Sequence, residues 1–107
     1  MRFAPFALLL LAGCGQKTDP YAAVAPIIAK HCVACHGSRP THPGFDAPPV
    51  GVVFDSPADV RKHAARIKVL AVTTDVMPLG NETGMTRAER DALGRWIDAG
   101  APFGREP

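Results

Sequence analysis

The segment HCVACHG, residues 31 to 37, is the most informative stretch of this sequence. It places Cys32, Cys35 and His36 within five positions of a 107-residue chain that has only three cysteines. In a helix, positions i, i+3 and i+4 lie on one face. Two thiols and an imidazole are therefore presented together by a single helical turn.

The pattern C-x-x-C-H is typical of covalent haem attachment. The two thiols add to the two vinyl groups along one edge of the porphyrin, and the following imidazole reaches the iron. We therefore predict one covalent haem c, with Cys32 and Cys35 as its thioether residues and His36 as its proximal ligand. The cofactor also accounts for a small core, because the chain offers only seven aromatic side chains.

Three other uses of the two cysteines remain open. A thioredoxin-type redox pair is expected after a strand, and no strand pattern precedes the motif. A structural zinc site needs a fourth ligand, for which His42 is the nearby candidate. A Cys32–Cys35 disulfide would constrain only four residues and add little stability.

The first residues predict export from the cytosol. Residues 1–13 combine a cationic start with an apolar run too short to span a bilayer, as in a lipoprotein signal peptide. The ending LAGC resembles a bacterial lipobox, so we expect Cys14 to become an acylated N-terminus that anchors the protein to a membrane. An ordinary signal peptide followed by a free cysteine is the alternative. The expected location is the bacterial envelope, facing the periplasm.

Length and composition predict one small domain. We assign residues 14–21 to the lipidated N-terminus and a short linker, 22–104 to the domain and 105–107 to a C-terminal tail. The composition is ordinary for a globular protein, at 47% hydrophobic and 21% charged. A formal net charge of +2 gives no support for nucleic-acid binding.

Capping signals predict three main helices. The first follows Pro26 through IIAKHCVACH, and the second begins at Ser56-Pro57 and runs to about Val72, with Val60, Ala64, Ile67 and Ala71 on one face. The third begins at the capping box of Thr86 and Glu89 and ends before Gly100. Residues 38–55 are rich in proline and glycine, so we expect a loop around the cofactor. The predicted fold class is all-α.

The segment DVMPLGNETGM, residues 75–85, is expected to supply a second axial ligand. Haem iron in electron carriers is commonly held by histidine and methionine. We favour Met77, because Pro78 prevents a continued helix and the neighbouring glycines let the loop fold over the porphyrin. Met85 directly precedes the Thr86 cap, so we expect it to fill the core or pack on the haem edge.

The other histidines are interpreted as bystanders. We expect His31 to be solvated, His42 to be a turn residue and His63 to lie on the basic face of the second helix, although any of the three would be needed for two-histidine ligation. The stretch RKHAARIK, residues 61–68, is either an exposed helix face or a docking surface for an acidic partner. Trp96 is expected in the core.

Residues 24–103 resemble a class I cytochrome c domain. The blocks PIIAKHCVACH, THPGF, GVVFDSPADV, MPLGNETGMTRAER and LGRWIDAGAP resemble more closely the cytochrome c domain at the C-terminus of bacterial membrane-bound urate hydroxylases. The resemblance implies a class I cytochrome c fold, thioethers at Cys32 and Cys35, and iron ligation by His36 and Met77. Those hydroxylases carry membrane helices ahead of the cytochrome, where this chain has a lipoprotein signal.

We therefore expect a lipid-anchored monohaem cytochrome rather than an enzyme. It would pass single electrons from a membrane or periplasmic dehydrogenase to a respiratory acceptor. Two alternatives stay open: a haem enzyme or gas sensor with an open distal site, and a cytochrome subunit of a larger oxidoreductase of the urate hydroxylase kind.

Overall fold

The computed structural model describes residues 18–104, and these residues are all-α. The expected signal peptide, Cys14 and the tail 105–107 lie outside the described residues. No strand occurs between residues 18 and 104. The α-helices are α1 (Ala25–His31), α2 (Val33–His36), α3 (Pro57–Lys62), α4 (Ala64–Ile67) and α5 (Arg87–Asp98). In this part of the chain no helix has the length and apolar character needed to cross a membrane.

Helices α1 and α2 together carry the cysteine–histidine motif. Pro26 lies in the first turn of α1, where its missing N–H costs nothing. The backbone departs from helical geometry at Cys32 (φ −120°, ψ −40°), so the predicted continuous helix is broken there. The backbone N–H of His36 nevertheless donates to the carbonyl of Cys32 at 2.8 Å. The motif therefore still occupies one helical turn.

The second predicted helix is a series of three segments. Ser56 caps α3, its hydroxyl accepting from the Asp59 N–H at 3.1 Å. The helix breaks at His63, resumes as α4 and widens into a π-helix over Lys68–Thr73. Val60, Ile67 and Ala71 are buried, as the periodicity predicted. The wider turn ends at Thr74, where the loop that contains Met77 begins.

Helix α5 matches its predicted boundaries closely. The Thr86 hydroxyl accepts from the Glu89 N–H at 3.1 Å, and the Glu89 carboxylate accepts from the Thr86 N–H at 3.0 Å. This reciprocal pair is the predicted capping box. Gly100, with φ +98°, follows the helix and allows the left-handed turn that ends it.

The core lies where α5 packs against the π-helix and the short 3-10 helix Pro20–Ala23. It is a single apolar cluster of Val24, Ile27, Ile28, Val52, Phe54, Val60, Ile67, Ala71, Met85, Leu93, Trp96 and Ala101. Trp96 is 5% exposed, as predicted for a core residue, and its ring meets Tyr21 edge to face at 5.6 Å. Gly94 allows the close approach of α5, because a Cβ there would lie 2.8 Å from Val72 Cγ1.

Candidate functional site

The predicted ligand residues converge on one cavity. It has a volume of about 390 Å³, within the range of small-molecule and cofactor sites. Its walls come from α1 and α2, the loop 38–55, the second helical series and the loop 77–85. Cys32, Cys35, His36, Met77 and Met85 all line it. Segments far apart in sequence thus bring two thiols, an imidazole and two thioethers together.

His36 is oriented by the loop that precedes α3. Its Nδ1 lies 2.9 Å from the Val52 carbonyl oxygen, which can only accept, so Nδ1 carries the proton and donates. The His36 carbonyl accepts from the Phe54 N–H at 2.7 Å, and the two rings pack with centroids 5.1 Å apart. In the neutral ring, Nε2 then carries the lone pair, which is the arrangement by which proteins fix a metal-binding histidine.

Cys32 and Cys35 are both free thiols. The pKa of Cys32 is raised to about 12, mainly by burial and to a smaller extent by the neighbouring Cys35. Burial also raises the pKa of Cys35, with a further contribution from Glu82. Redox-active C-x-x-C pairs instead have lowered thiol pKa values, because the thiolate is the nucleophile. The raised pKa values of this pair therefore differ from those typical of thiol–disulfide exchange.

The two methionines occupy different positions on the cavity wall. Met77 is half-buried at the start of the loop 77–85, and its N–H donates to the Leu70 carbonyl at 2.8 Å. Pro78 follows in an extended conformation (φ −64°, ψ 150°), as its ring requires. Met85 is 4% exposed and belongs to the core cluster, consistent with its expected packing role.

His31 is buried, so the expectation that it is solvated was wrong. It is 5% exposed, with Nδ1 2.7 Å from the Thr83 hydroxyl and Nε2 2.9 Å from a Glu89 carboxylate oxygen. Because the carboxylate accepts, Nε2–H donates to it. Helix periodicity cannot reveal these partners, since they lie 52 and 58 residues away in sequence. His31 joins α1 to the loop 77–85 and to α5.

Glu89 takes part in both the capping box and the contact with His31. The Thr86 backbone N–H makes the largest contribution to lowering the pKa of Glu89 to about 2, and the His31 hydrogen bond adds to it. The carboxylate is therefore ionised at every physiological pH. Its charge also lies at the N-terminus of α5, where the helix dipole favours an anion.

His42 bridges the two loops that face each other across the cavity. Its Nδ1 lies 2.8 Å from the Pro43 carbonyl and its Nε2 lies 2.8 Å from a Glu82 carboxylate oxygen. Both partners are acceptors, so this geometry requires both ring nitrogens to carry a proton. The hydrogen bond to Glu82 is the main cause of a raised pKa for His42. His42 is thus a link between loops rather than only a turn residue.

The basic stretch 61–68 is partly engaged within the protein. His63 lines the cavity beside Arg66 and meets the Phe54 ring edge to face at 5.9 Å. His63 shares this side of the helix with Arg66, but it faces the cavity and is not the bystander that was expected. Lys68 forms an ion pair with Asp98, and the Arg61 guanidinium lies 4.3 Å above the Phe103 ring. Arg66 is the cation of this stretch that borders the cavity.

Arg90 does not line the cavity but binds the backbone of two residues that do, and sequence reasoning missed it. It is 3% exposed on α5 and donates to backbone carbonyls on both sides of the segment leading to Met77. One sequence signal was available, because Arg90 shares the inward face of α5 with Leu93 and Ile97 at spacings of three and seven.

The site residues suit a haem better than a bare metal ion. Between residues 18 and 104, no three Cys, His, Asp or Glu side chains are grouped as ligands for a metal ion alone. Axial ligation of haem requires only one or two protein side chains, because the porphyrin holds the iron. The apolar cavity, the free thiols and the orienting hydrogen bond of His36 all fit that group.

Comparisons with protein-family models, curated proteins and solved structures found no match to this chain.

Proposed function

We propose that this protein is a monohaem c-type cytochrome with a small class I cytochrome c fold. It would carry one covalent haem c on Cys32 and Cys35, with His36 as proximal ligand and Met77 as distal ligand. The bound haem would supply a one-electron redox centre. The chain would then act as an electron carrier, with no catalytic side chain of its own.

The observation that carries the proposal is the state of His36 beside the two thiols. Its Nδ1 proton is bound by Val52, so Nε2 is the nitrogen left for a metal. Helical hydrogen bonding between Cys32 and His36 keeps the motif on one turn. A thiol pair serving only as a disulfide would have no need of an oriented imidazole on the same cavity wall.

The cavity walls support electron transfer in preference to chemistry at an open site. Met77 supplies a soft thioether from a loop separate in sequence from the histidine helix, which allows ligation from two sides. Phe54, Ile67 and Ala71 add apolar surface that limits the access of water. Burial of this kind and a methionine ligand both favour a raised reduction potential.

The cavity rim supports contact with other proteins. Val50 is 87% exposed and Leu79 is 55% exposed, and both line the cavity. Val50 has φ +51°, a conformation that β-branched residues rarely adopt. We propose that this apolar rim meets the redox partners, a donor dehydrogenase and a respiratory acceptor. Lipid attachment through Cys14 would hold the protein at the periplasmic side of a membrane in the bacterial envelope.

The proposal is tested by expression together with a cytochrome c maturation system. We expect a low-spin reduced spectrum that carbon monoxide does not change, because both axial positions would be filled by side chains. Rapid carbon monoxide binding would instead favour an enzyme or gas sensor with an open site. The matched control is Cys14→Ser, which should release the protein from the membrane fraction while its spectrum stays the same.

A further inference from the structure

The Arg90 guanidinium is buried among neutral acceptors. Its Nη1 donates to the carbonyls of Ala71 at 2.7 Å and Met77 at 2.8 Å, and its Nη2 lies 3.4 Å from Asn81 Oδ1. No carboxylate within residues 18–104 pairs with it at ion-pair distance. A buried cation without a counter-ion is costly, and a purely structural contact of α5 would be made more cheaply by an apolar side chain.

The hydrogen bonds of the buried Arg90 hold the backbone between the π-helix and Met77 in place. Ala71 lies in the π-helix and Met77 follows its end, so a single Nη1 joins the two ends of the turn 72–76. The Met77 N–H is bound separately by the Leu70 carbonyl. Both backbone polar groups of Met77 are therefore fixed, one by the helix and one by Arg90.

The same contact extends to the rest of the loop. Asn81, at φ +49°, accepts from the Met85 N–H at 2.9 Å through the oxygen that faces Arg90. Thr83, in the same loop, is bound by His31 of α1. His31 and Arg90 are the buried polar or charged residues of the part of the chain that the structure describes, and both hold the loop 77–85.

We propose that Arg90 is a positioning residue that presents Met77 to the cavity. The role of Met77 as a ligand rests on the proposed function, whereas the backbone clamp rests on the hydrogen bonds alone. Arg90 fixes the Met77 backbone before any ligand binds, which is how binding sites avoid an ordering cost. Its positive charge, held at the Met77 carbonyl, also favours the reduced form of a redox centre in the cavity.

The test compares Arg90→Met with Arg95→Met. Both substitutions remove one positive charge from α5, but Arg95 is exposed. The readouts are helical circular dichroism, the near-red absorption band of methionine-ligated ferric haem, and the reduction midpoint potential. On heating, we expect Arg90→Met to lose the near-red band at a temperature well below the one at which its helical signal is lost. Its reduction equilibrium constant should fall about tenfold, which is about 59 mV for one electron. Arg95→Met should change neither the temperature at which the band is lost nor the reduction equilibrium constant.

Arg90→Lys separates position from charge and serves if Arg90→Met does not fold. Lysine keeps the charge but lacks the planar fork of arginine. We expect its reduction equilibrium constant to stay within about threefold of the unsubstituted protein, while the near-red band is again lost before unfolding. If the band in both variants persists until the helices melt, or if Arg95→Met behaves like Arg90→Met, the positioning role is refuted.

Amide hydrogen exchange distinguishes failure of this inference from failure of the proposed function. We expect the Met77 amide to exchange at least about tenfold faster in Arg90→Met than in Arg95→Met, with or without a cofactor. An unsubstituted protein without covalent haem would refute the proposed function, yet this difference would still be expected. Equal exchange of the Met77 amide in the two variants would refute the clamp itself.

Discussion

Replacing His31 with leucine tests how far the fold depends on one buried imidazole. The side chain of His31 is fully buried, and it binds the Thr83 hydroxyl and the Glu89 carboxylate. Leucine removes both hydrogen bonds while keeping an apolar group of similar size at the site. Any loss of stability therefore reports mainly on the polar contacts.

The expected loss is worked from those two contacts. A neutral hydrogen bond contributes about 1 kcal/mol and one to a charged group about 1.5–3 kcal/mol. The Glu89 side chain is 24% exposed, so water recovers part of its lost interaction. We expect the free energy of unfolding to fall by about 2–3 kcal/mol. For a domain of this size, that lowers Tm by about 10–20 °C.

Thermal unfolding followed by circular dichroism measures the effect, with His42→Leu as the matched control. His42 also pairs with a carboxylate, but the pair is partly exposed, and such pairs contribute little. If His31→Leu lowers Tm no more than His42→Leu does, the buried contacts do not stabilise the fold and the reasoning is refuted.

The same variant has a defined pH dependence. The pKa of Glu89 is lowered from 4.5 to about 2, so its stabilising contribution is complete above about pH 4.5 and is lost as the pH falls towards 2. Thr86 supplies the larger part of that shift and remains in place in the variant. The stability difference between the unsubstituted protein and His31→Leu should therefore narrow below about pH 4.5. A difference that stays constant down to pH 2 would contradict this.

Three further predictions concern the packing and the cavity. Gly94→Ala should lower the free energy of unfolding by about 1 kcal/mol, because the cost of overpacking against Val72 exceeds the gain in helix propensity. In a Val72→Ala background, chemical denaturation should show no loss of stability from Gly94→Ala. Glu82→Gln should lower the pKa of His42, measured by NMR titration, and an unchanged pKa would show that the pair does not form in solution. Met77→Ala should abolish the near-red band of the ferric protein while Met85→Ala keeps it; the reverse result would make Met85 the ligand.

The helices and their caps were predictable because their signals are local. Ser56 and Thr86 were identified from the residues three positions after them, and the structure confirms both caps. Each predicted ligand residue could likewise be inferred from its immediate sequence neighbours. These residues all line one cavity.

The buried polar contacts were not predictable from such signals. His31 and Arg90 owe their burial to partners in other segments. The spacing of Arg90 places it on the inward face of α5, but it does not reveal the carbonyls that Arg90 binds. The break at His63 and the π-helix have no strong local signal either, since the stretch from Val60 to Ala71 has the apolar period of a continuous helix. Sequence patterns therefore located the cavity, whereas long-range contacts determine how its loops are held.

Mass spectrometry of the peptide containing residues 32–36 tests the central claim most directly. The account predicts that this peptide carries one haem bound through both Cys32 and Cys35 when the protein is matured in a bacterial envelope. The haem should stay bound to the peptide in acidified organic solvent. A peptide with two unmodified thiols or a disulfide, from correctly folded protein made with the maturation system present, would contradict the account.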